Sequence, residues 1–243
     1  MQHKILAIIP ARGGSKSVPK KNIKKLDGKP LIQYSIDSAK ESKLVNKIIV
    51  STDSLEISKL SKKNGVEVPF LRPKKLSLDS SATIDVIKHA VKKLELLHYI
   101  PDIITLLQPT APLRTSKMID DSIKLLIKTK STCVLGVCKL SKHPYRAFWP
   151  NGKYLKPFRN DFLKFHQRQL FPTCYYPTGE IYTFWFSTLK KTGNLYGSKI
   201  FPFYLKNHIS MDINTKLDFF LTEMMLKNRK ISKWFQGLPN KLM

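Results

Sequence analysis

Residues 8–31 read IIPARGGSKSVPKKNIKKLDGKPL, and the architecture follows from how this stretch begins. The run Ile5 to Ile9 is apolar throughout, with no polar alternation. A strand buried on both faces needs such a run, and a parallel sheet covered by helices is where such strands occur. The run stops at Pro10 and opens into Ala11-Arg12-Gly13-Gly14-Ser15-Lys16. Two consecutive glycines let backbone N–H groups come close to a ligand, and such a turn can form an anion-binding nest. Arg12, Lys16 and Lys21 surround the turn with positive charge. A polyphosphate needs that combination, because charge developing on its oxygens must be neutralised during transfer. The loop is neither a Walker A sequence nor a GxGxxG fingerprint, which takes support from P-loop NTPases and dinucleotide oxidoreductases. A solvated glycine turn with surface lysines is the plain alternative reading.

On both sides of this loop, strand and helix signals alternate. Pro30 can open a helix through about Lys40, with Leu31, Ile32 and Ile36 apolar. Residues 47–52 are β-branched and read as a second strand; Asp53 and Glu56 then look like a capping box for a short helix ending near Gly65. Residues 66–71 read as a third strand. Ser80 or Ser81 can cap a helix whose apolar residues fall at Ile84, Ile87, Val91 and Leu94. Residues 102–107 read as a fourth strand, a helix opens at Thr115 or Ser116, and residues 133–138 read as a fifth strand. This alternation predicts a parallel sheet with ligands at the carboxyl ends of its strands. Residues 141–178 break the rhythm with prolines, aromatics and a hairpin-like Asn151-Gly152, and read as an excursion from the sheet. Residues 180–186 and 200–205 read as returning strands. Residues 215–227 read as a last helix with Leu217, Phe220, Leu221 and Met224 on its apolar face.

Composition sets the outer bounds. The 243 residues suit one large α/β domain, and 42% hydrophobic content excludes a disordered polycation. The formal charge is +26, yet only seven of the 43 basic residues are arginine. A duplex-DNA reader spends arginine on base edges and phosphates, so a lysine-dominated surface permits nucleic-acid binding without establishing it. Three cysteines, Cys133, Cys138 and Cys174, without a Cys-x-x-Cys pair, point to a reducing cytoplasm and no structural zinc. The run at 5–9 is too short for a signal-peptide core or a membrane span. The six histidines show no metal spacing, and no Ser-His-Asp arrangement is legible.

The segments PARGGSKSVPKKN (10–22) and GKPLI (28–32) resemble the N-acylneuraminate cytidylyltransferases, the CMP-sialic acid synthetases. The resemblance continues in STD (51–53), FLRP (70–73), DSSATIDVI (79–87), LQPTAPLRT (107–115), GEIY (179–182) and MDINTKLDF (211–219). Each is weak alone; their shared order over nearly the whole chain makes the set specific. CMP-Kdo synthetases share the Pro-Ala-Arg opening, but Lys21-Asn22 at this spacing favours the neuraminate branch.

The resemblance implies one domain over residues 1–243. It would have a Rossmann-like nucleotidyltransferase fold, a mostly parallel central sheet and a protruding dimerisation arm at 141–178. It implies CTP and a nonulosonic acid as substrates, Mg²⁺ (or Mn²⁺) as cofactor, a cytoplasmic homodimer and no membrane partner. By the same resemblance Arg12, Ser15, Lys16 and Lys21 hold the triphosphate, and Ala11, Gly13, Asn22, Arg72 and Thr83 belong to the nucleotide site. Gln108, Arg168 and Tyr182 fall to the sugar acid, with Arg168 acting across the dimer interface. Asp212 falls to the metal, with Asn214 as second ligand where the family has Asp. Arg12, Lys16, Lys21 and Asp212 are the catalytic set. Pro109, Pro112 and Arg114 shape the loop after the fourth strand.

Other readings of these residues stand beside those roles. Arg72 also reads as a surface ion-pair partner, Thr83 as part of a helix N-terminus, Gln108 as a loop amide and Asp212 as a helix cap. Tyr176, Thr178 and Glu180 replace the Arg, Asn and Ala of the family's acceptor region. That keeps legionaminate and other nonulosonates open beside neuraminate. A CMP-Kdo synthetase-like enzyme and a non-catalytic nucleic-acid binder complete the alternatives.

Overall fold

A computed structural model describes residues 3–140, 142–160, 164, 167–205 and 211–228. The first strand, β1 (Ile5–Pro10), lies one place in from the edge of a six-stranded sheet. It is flanked in parallel by β4 (Lys47–Ser51) and β5 (Ile103–Leu106), with Ile8 opposite Ile49 on one side and Leu106 on the other. Two short antiparallel strands, β2 (Lys25–Leu26) and β3 (Lys29–Pro30), close a turn before the first helix. Beyond β5 come β9 (Tyr175–Trp185), β6 (Cys133–Lys139) and β10 (Ile200–Tyr204). β9 runs antiparallel to both of its neighbours, and β10 is parallel to β6.

The unbroken apolar run at the start of the chain is explained by two cores. Successive side chains of a strand point to opposite faces. Ile5, Ala7 and Ile9 pack on one face with Ile32 and Ile36 of α1 (Leu31–Lys40), Ile57 of α2 (Leu55–Lys63), and Ile119 and Ile123 of α4 (Ser116–Thr129). Leu6 and Ile8 pack on the other with Ile87, Val91 and Leu94 of α3 (Thr83–Glu95) and Leu189 of α5 (Phe186–Thr192). Each such side chain contributes roughly 1.5–3 kcal/mol of burial, so a polar residue anywhere in the run is costly. A third, smaller cluster seats α6 (Lys216–Lys227) through Phe219 on Val18, Leu26, Leu31 and Ile213.

Four expectations are corrected. Residues 66–71 make only isolated parallel bridges, Ile49 to Glu67 and Thr52 to Leu71, because Pro69 in their middle has no N–H to donate. Ser81 does not cap α3; its hydroxyl accepts from Leu78 N–H and donates to the Lys75 carbonyl, and Ala82 occupies the N-cap position. β9 starts at Tyr175, not near 180. Pro177 and Gly179 are accommodated where the register shifts between Leu135 and Val137 of β6. Leu217, Phe220, Leu221 and Met224 of α6 are exposed, because the helix carries apolar residues on more than one face and docks through Phe219.

The excursion from the sheet holds an antiparallel hairpin, β7 (Phe148–Asn151) and β8 (Tyr154–Pro157), turning at Gly152. Phe148, Trp149, Tyr154 and Leu155 on it are exposed. Among the described residues no helix is long and apolar enough to cross a membrane.

Candidate active site

The loop after β1 is held open by specific contacts. Ala11 is buried, and its N–H donates to the Ser51 carbonyl at 3.0 Å. The Gly13 N–H donates to Asp53 Oδ1 at 2.9 Å. A Cβ on Gly13 would stand 2.9 Å from the Ser54 Cβ, so glycine is required by close approach. This corrects the reading of Asp53 as a helix cap: Ser54 caps α2, accepting from Ile57 N–H, and Asp53 braces the glycine loop. Asn22 is buried and donates from Nδ2 to the Arg12 carbonyl at 2.9 Å, closing the loop on itself.

Because β1 and β5 are adjacent and parallel, the loops that follow them open side by side. Between them lies a pocket of about 310 Å³. The β1 loop contributes Arg12, Ser15, Lys21 and Asn22; the segment leading into α3 contributes Arg72 and Thr83. Gln108 enters from the end of β5, and Asp212 and Asn214 from the segment before α6. The structure thus brings together nine of the residues singled out in the sequence. Ala11 and Gly13 sit behind this lining, and the Lys16 side chain is 89% exposed. Tyr182 packs against the α3-side core, where burial raises its hydroxyl well above the usual tyrosine range. Arg168 lies in a short 3-10 turn, and its side chain is outside the described part of the structure.

The electrostatics of the pocket are set by burial and by pairing. Lys21 Nζ donates to the Ile213 carbonyl at 2.7 Å; burial lowers its pKa, and Asp212 opposes the shift. Arg72 is 6% exposed, with Nε and Nη2 buried and without a hydrogen-bond partner. That excludes the surface ion-pair reading and leaves two donors for a ligand. Burial lowers its pKa, against the pull of Asp53. Thr83 is the first residue of α3 and also lines the pocket, so both readings of it hold.

Gln108 is positioned by the buried Arg114. The guanidinium donates to the Gln108 carbonyl at 3.3 Å, to the Glu180 carbonyl at 3.2 Å and to Ser35 Oγ at 2.5 Å, tying β5, β9 and α1 together. Burial lowers the Arg114 pKa to about 10. Glu180 is fully buried, and burial pushes its carboxyl up to about 7 against the Thr178 hydroxyl and Arg114. Gly179, at φ +85°, would place a Cβ 3.5 Å from Gln108 Oε1 and 3.7 Å from Asp212 Cγ. Gly179 therefore borders the Gln108–Asp212 side of the pocket, while its neighbours Thr178 and Glu180 are buried, Thr178 against Gly136.

Asp212 is not a helix cap. Thr215 caps α6, in a capping box with Asp218. Asp212 Oδ2 accepts from Asn214 Nδ2 at 2.9 Å, and Oδ1 is buried without a partner. An orphaned carboxylate oxygen in a pocket beside an amide suits a hard cation such as magnesium, which takes one or two carboxylates and completes its shell from phosphates and water. Among the described residues no group of three or more His, Cys, Asp or Glu gathers for a metal. A cation here would depend on the substrate for its remaining oxygens.

Of the polar pocket residues outside the candidate set, Asp79, Ser81 and Thr110, Asp79 alone is charged. Asp79 pairs with Arg12 Nη2 at 2.5 Å and with Lys16 Nζ at 3.2 Å. The signal was its place in DSSATIDVI, one of few acidic residues in a very basic chain.

A glycine loop with cations after the first strand shares a pocket at the strand ends with a carboxylate, which suits a polyphosphate and its cation. The family model described as Cytidylyltransferase matches residues 6–148. The chain belongs to the cytidylyltransferase family.

Within this family it is similar to an N-acylneuraminate cytidylyltransferase of Escherichia coli O18:K1:H7, at 32% identity over 100% of the chain and 57% of that protein. The chain thus spans little more than half of that relative. It is also 33% identical to the post-translational flagellin modification protein B of Campylobacter coli, over 93% of the chain and 97% of that protein. A CMP-N,N'-diacetyllegionaminic acid synthase of Legionella pneumophila is 32% identical over 92% of the chain and 97% of its own length. In fold, this cytidylyltransferase is similar to a CMP:2-keto-3-deoxy-manno-octonic acid synthetase solved with CTP. The TM-score is 0.68 at 16% identity, covering 93% of this chain and 99% of that one. The fold is that of the nucleotidyltransferases, with a mostly parallel sheet.

Proposed function

We propose that this cytidylyltransferase couples CTP to a nonulosonic acid, giving a CMP-sugar and pyrophosphate. The observation that carries the proposal is the pocket itself. Arg12, Lys21 and Asn22 line it together with Asp212, and Arg72 brings two unpartnered donors.

The triphosphate rests against the Gly13-Gly14 turn, with Arg12, Ser15, Lys16 and Lys21 as its cationic and polar contacts. Arg72 and Thr83 meet the nucleotide on the α3 side. Telling cytosine from uracil requires fixed donors and acceptors, and the buried Arg72 guanidinium is a fixed donor. Gln108, held by Arg114, orients the sugar acid, and Arg168 and Tyr182 are its further contacts. The anomeric hydroxyl oxygen forms a bond to the α-phosphorus. The bond from that phosphorus to the bridging oxygen breaks, pyrophosphate leaves with the electron pair, and the hydroxyl proton is released. Asp212 and Asn214 would hold the magnesium (or manganese), which when bound supplies positive charge to the phosphate oxygens. Arg12, Lys16 and Lys21 neutralise charge growing on the pyrophosphate, so positioning and electrostatics supply the acceleration. The lysine-rich surface steers two anionic substrates inward.

Neuraminate-like acids are the first reading for the acceptor. Legionaminate- or pseudaminate-type acids are the second, kept open by Tyr176 and Thr178, which lead into the Gly179 that abuts Gln108 and Asp212. The exposed aromatic hairpin at 148–157 supports a homodimer in which 141–178 is the exchanged arm, within a single domain. A turnover assay with CTP, Mg²⁺ and a panel of nonulosonic acids tests the proposal. Pyrophosphate release with at least one acid is expected, and silence across the panel contradicts it.

A further inference from the structure

The mouth of the pocket is bridged by the protein's own anion. Asp79 sits in the loop between the 3-10 turn at Lys74–Leu76 and α3. The loop is folded on itself: Leu78 N–H donates to Ser81 Oγ at 3.0 Å, and Ser81 Oγ donates to the Lys75 carbonyl at 3.1 Å. Across the pocket the Asp79 carboxylate splits its two oxygens, Oδ1 on Arg12 and Oδ2 on Lys16. Those are two of the three cations of the phosphate loop. A carboxylate with one oxygen on a guanidinium and one on an ammonium makes the contacts that two oxygens of a phosphate group would make.

We infer that Asp79 is a built-in stand-in for substrate phosphate, which holds Arg12 and Lys16 in place before nucleotide binds and is displaced when the triphosphate enters. The inference rests on the functional reading above, since it needs the β1 loop to receive phosphates. Its physical basis is exclusion. The carboxylate and a phosphate cannot occupy the same positions on Arg12 and Lys16, and two anions brought that close repel. The pairing therefore stabilises the free protein only, and the apparent affinity for nucleotide falls by the fraction of molecules whose cations are released. Asp79 gains nothing from burial: its side chain is 44% exposed, as is fitting for a contact that must open. Neither pair is buried, with Arg12 33% and Asp79 44% exposed, so each is individually weak; the device lowers affinity modestly and opens readily.

Calorimetric titration of CTP alone, without sugar acid, into the wild type, Asp79→Asn, Asp79→Ser and Asp79→Glu tests the inference. The two neutral variants should bind CTP roughly threefold to thirtyfold more tightly, the range expected for two exposed pairs. Stopped-flow association should be faster for both. Asp79→Glu, which keeps the charge, should return affinity towards the wild-type value. Unchanged or weaker binding in both neutral variants would overturn the inference while leaving the functional reading intact, because wild-type binding is measured in the same series. A wild type that binds no CTP would overturn both.

Discussion

Lys21 donates from Nζ to the carbonyl oxygen of Ile213 at 2.7 Å, across 192 positions of the chain. That single bond ties the phosphate loop after β1 to the segment that presents Asp212. It sets the spacing between the cationic and anionic sides of the pocket. Replacing Lys21 by Ala removes a charge and a tether at once. Turnover should fall by about 10²–10³-fold, as for loss of one preorganised charge-stabilising group. The fold should lose only about 1–3 kcal/mol, through the carbonyl left unpaired. Steady-state kinetics and thermal melting, run side by side, separate the two effects.

The orphaned Asp212 Oδ1 gives a second expectation. Asp212→Asn preserves the shape and removes the one formal charge that this segment offers a cation. The Mg²⁺ concentration for half-maximal turnover should rise by about tenfold or more, since affinity at such sites follows ligand charge. An unchanged metal titration would remove Asp212 from the metal site.

Glu180 makes the protein's stability depend on pH in a defined window. Its folded pKa is raised from 4.5 to about 7, chiefly by burial. The folded state thus holds a proton that the unfolded state has released. The contribution is fully present below about pH 4.5 and is lost as pH rises through about 7. Glu180→Gln removes this dependence. The variant should gain on the wild type between those limits, by an amount on the order of 3 kcal/mol once pH 7 is passed. Denaturant titrations of both proteins at several pH values check the sign. A stability difference that does not vary with pH would contradict the assignment.

Much of this architecture was legible in the sequence. The apolar run at 5–9 announced a strand covered on both faces, and the alternation that followed gave the neighbouring strands β4 and β5. Short-range chemistry was also readable: Thr115 caps α4 through Met118 N–H, as its position before an apolar repeat suggests. Nine of the candidate site residues meet in one pocket because the strand order places the β1 and β5 loops together. What escaped reading depends on contacts between distant segments. Asp53 looked like a local cap, and its partner is Gly13, 40 positions away. Asp79 carries no local signal of its role, because its partners Arg12 and Lys16 lie on the phosphate loop. The α6 face was misread because helical spacing marks apolar residues without saying which face finds a surface. The first half of β9 is not legible because Pro177 and Gly179 disfavour a strand in isolation and are tolerable at a register shift beside Gly136. Arg114 shows the favourable case: a loop anchor by reading, it proved to join three elements from a buried position.

The central claim is cytidylyl transfer, and nucleotide selectivity at fixed acceptor tests it most directly. Pyrophosphate release is measured with CTP, UTP and ATP in turn, with Mg²⁺ and the best nonulosonic acid of the panel, and with each component omitted. Release that requires CTP, sugar acid and Mg²⁺ together, and that falls away with UTP and ATP, is the predicted result. Equal turnover with UTP or ATP, or release without the sugar acid, would contradict it.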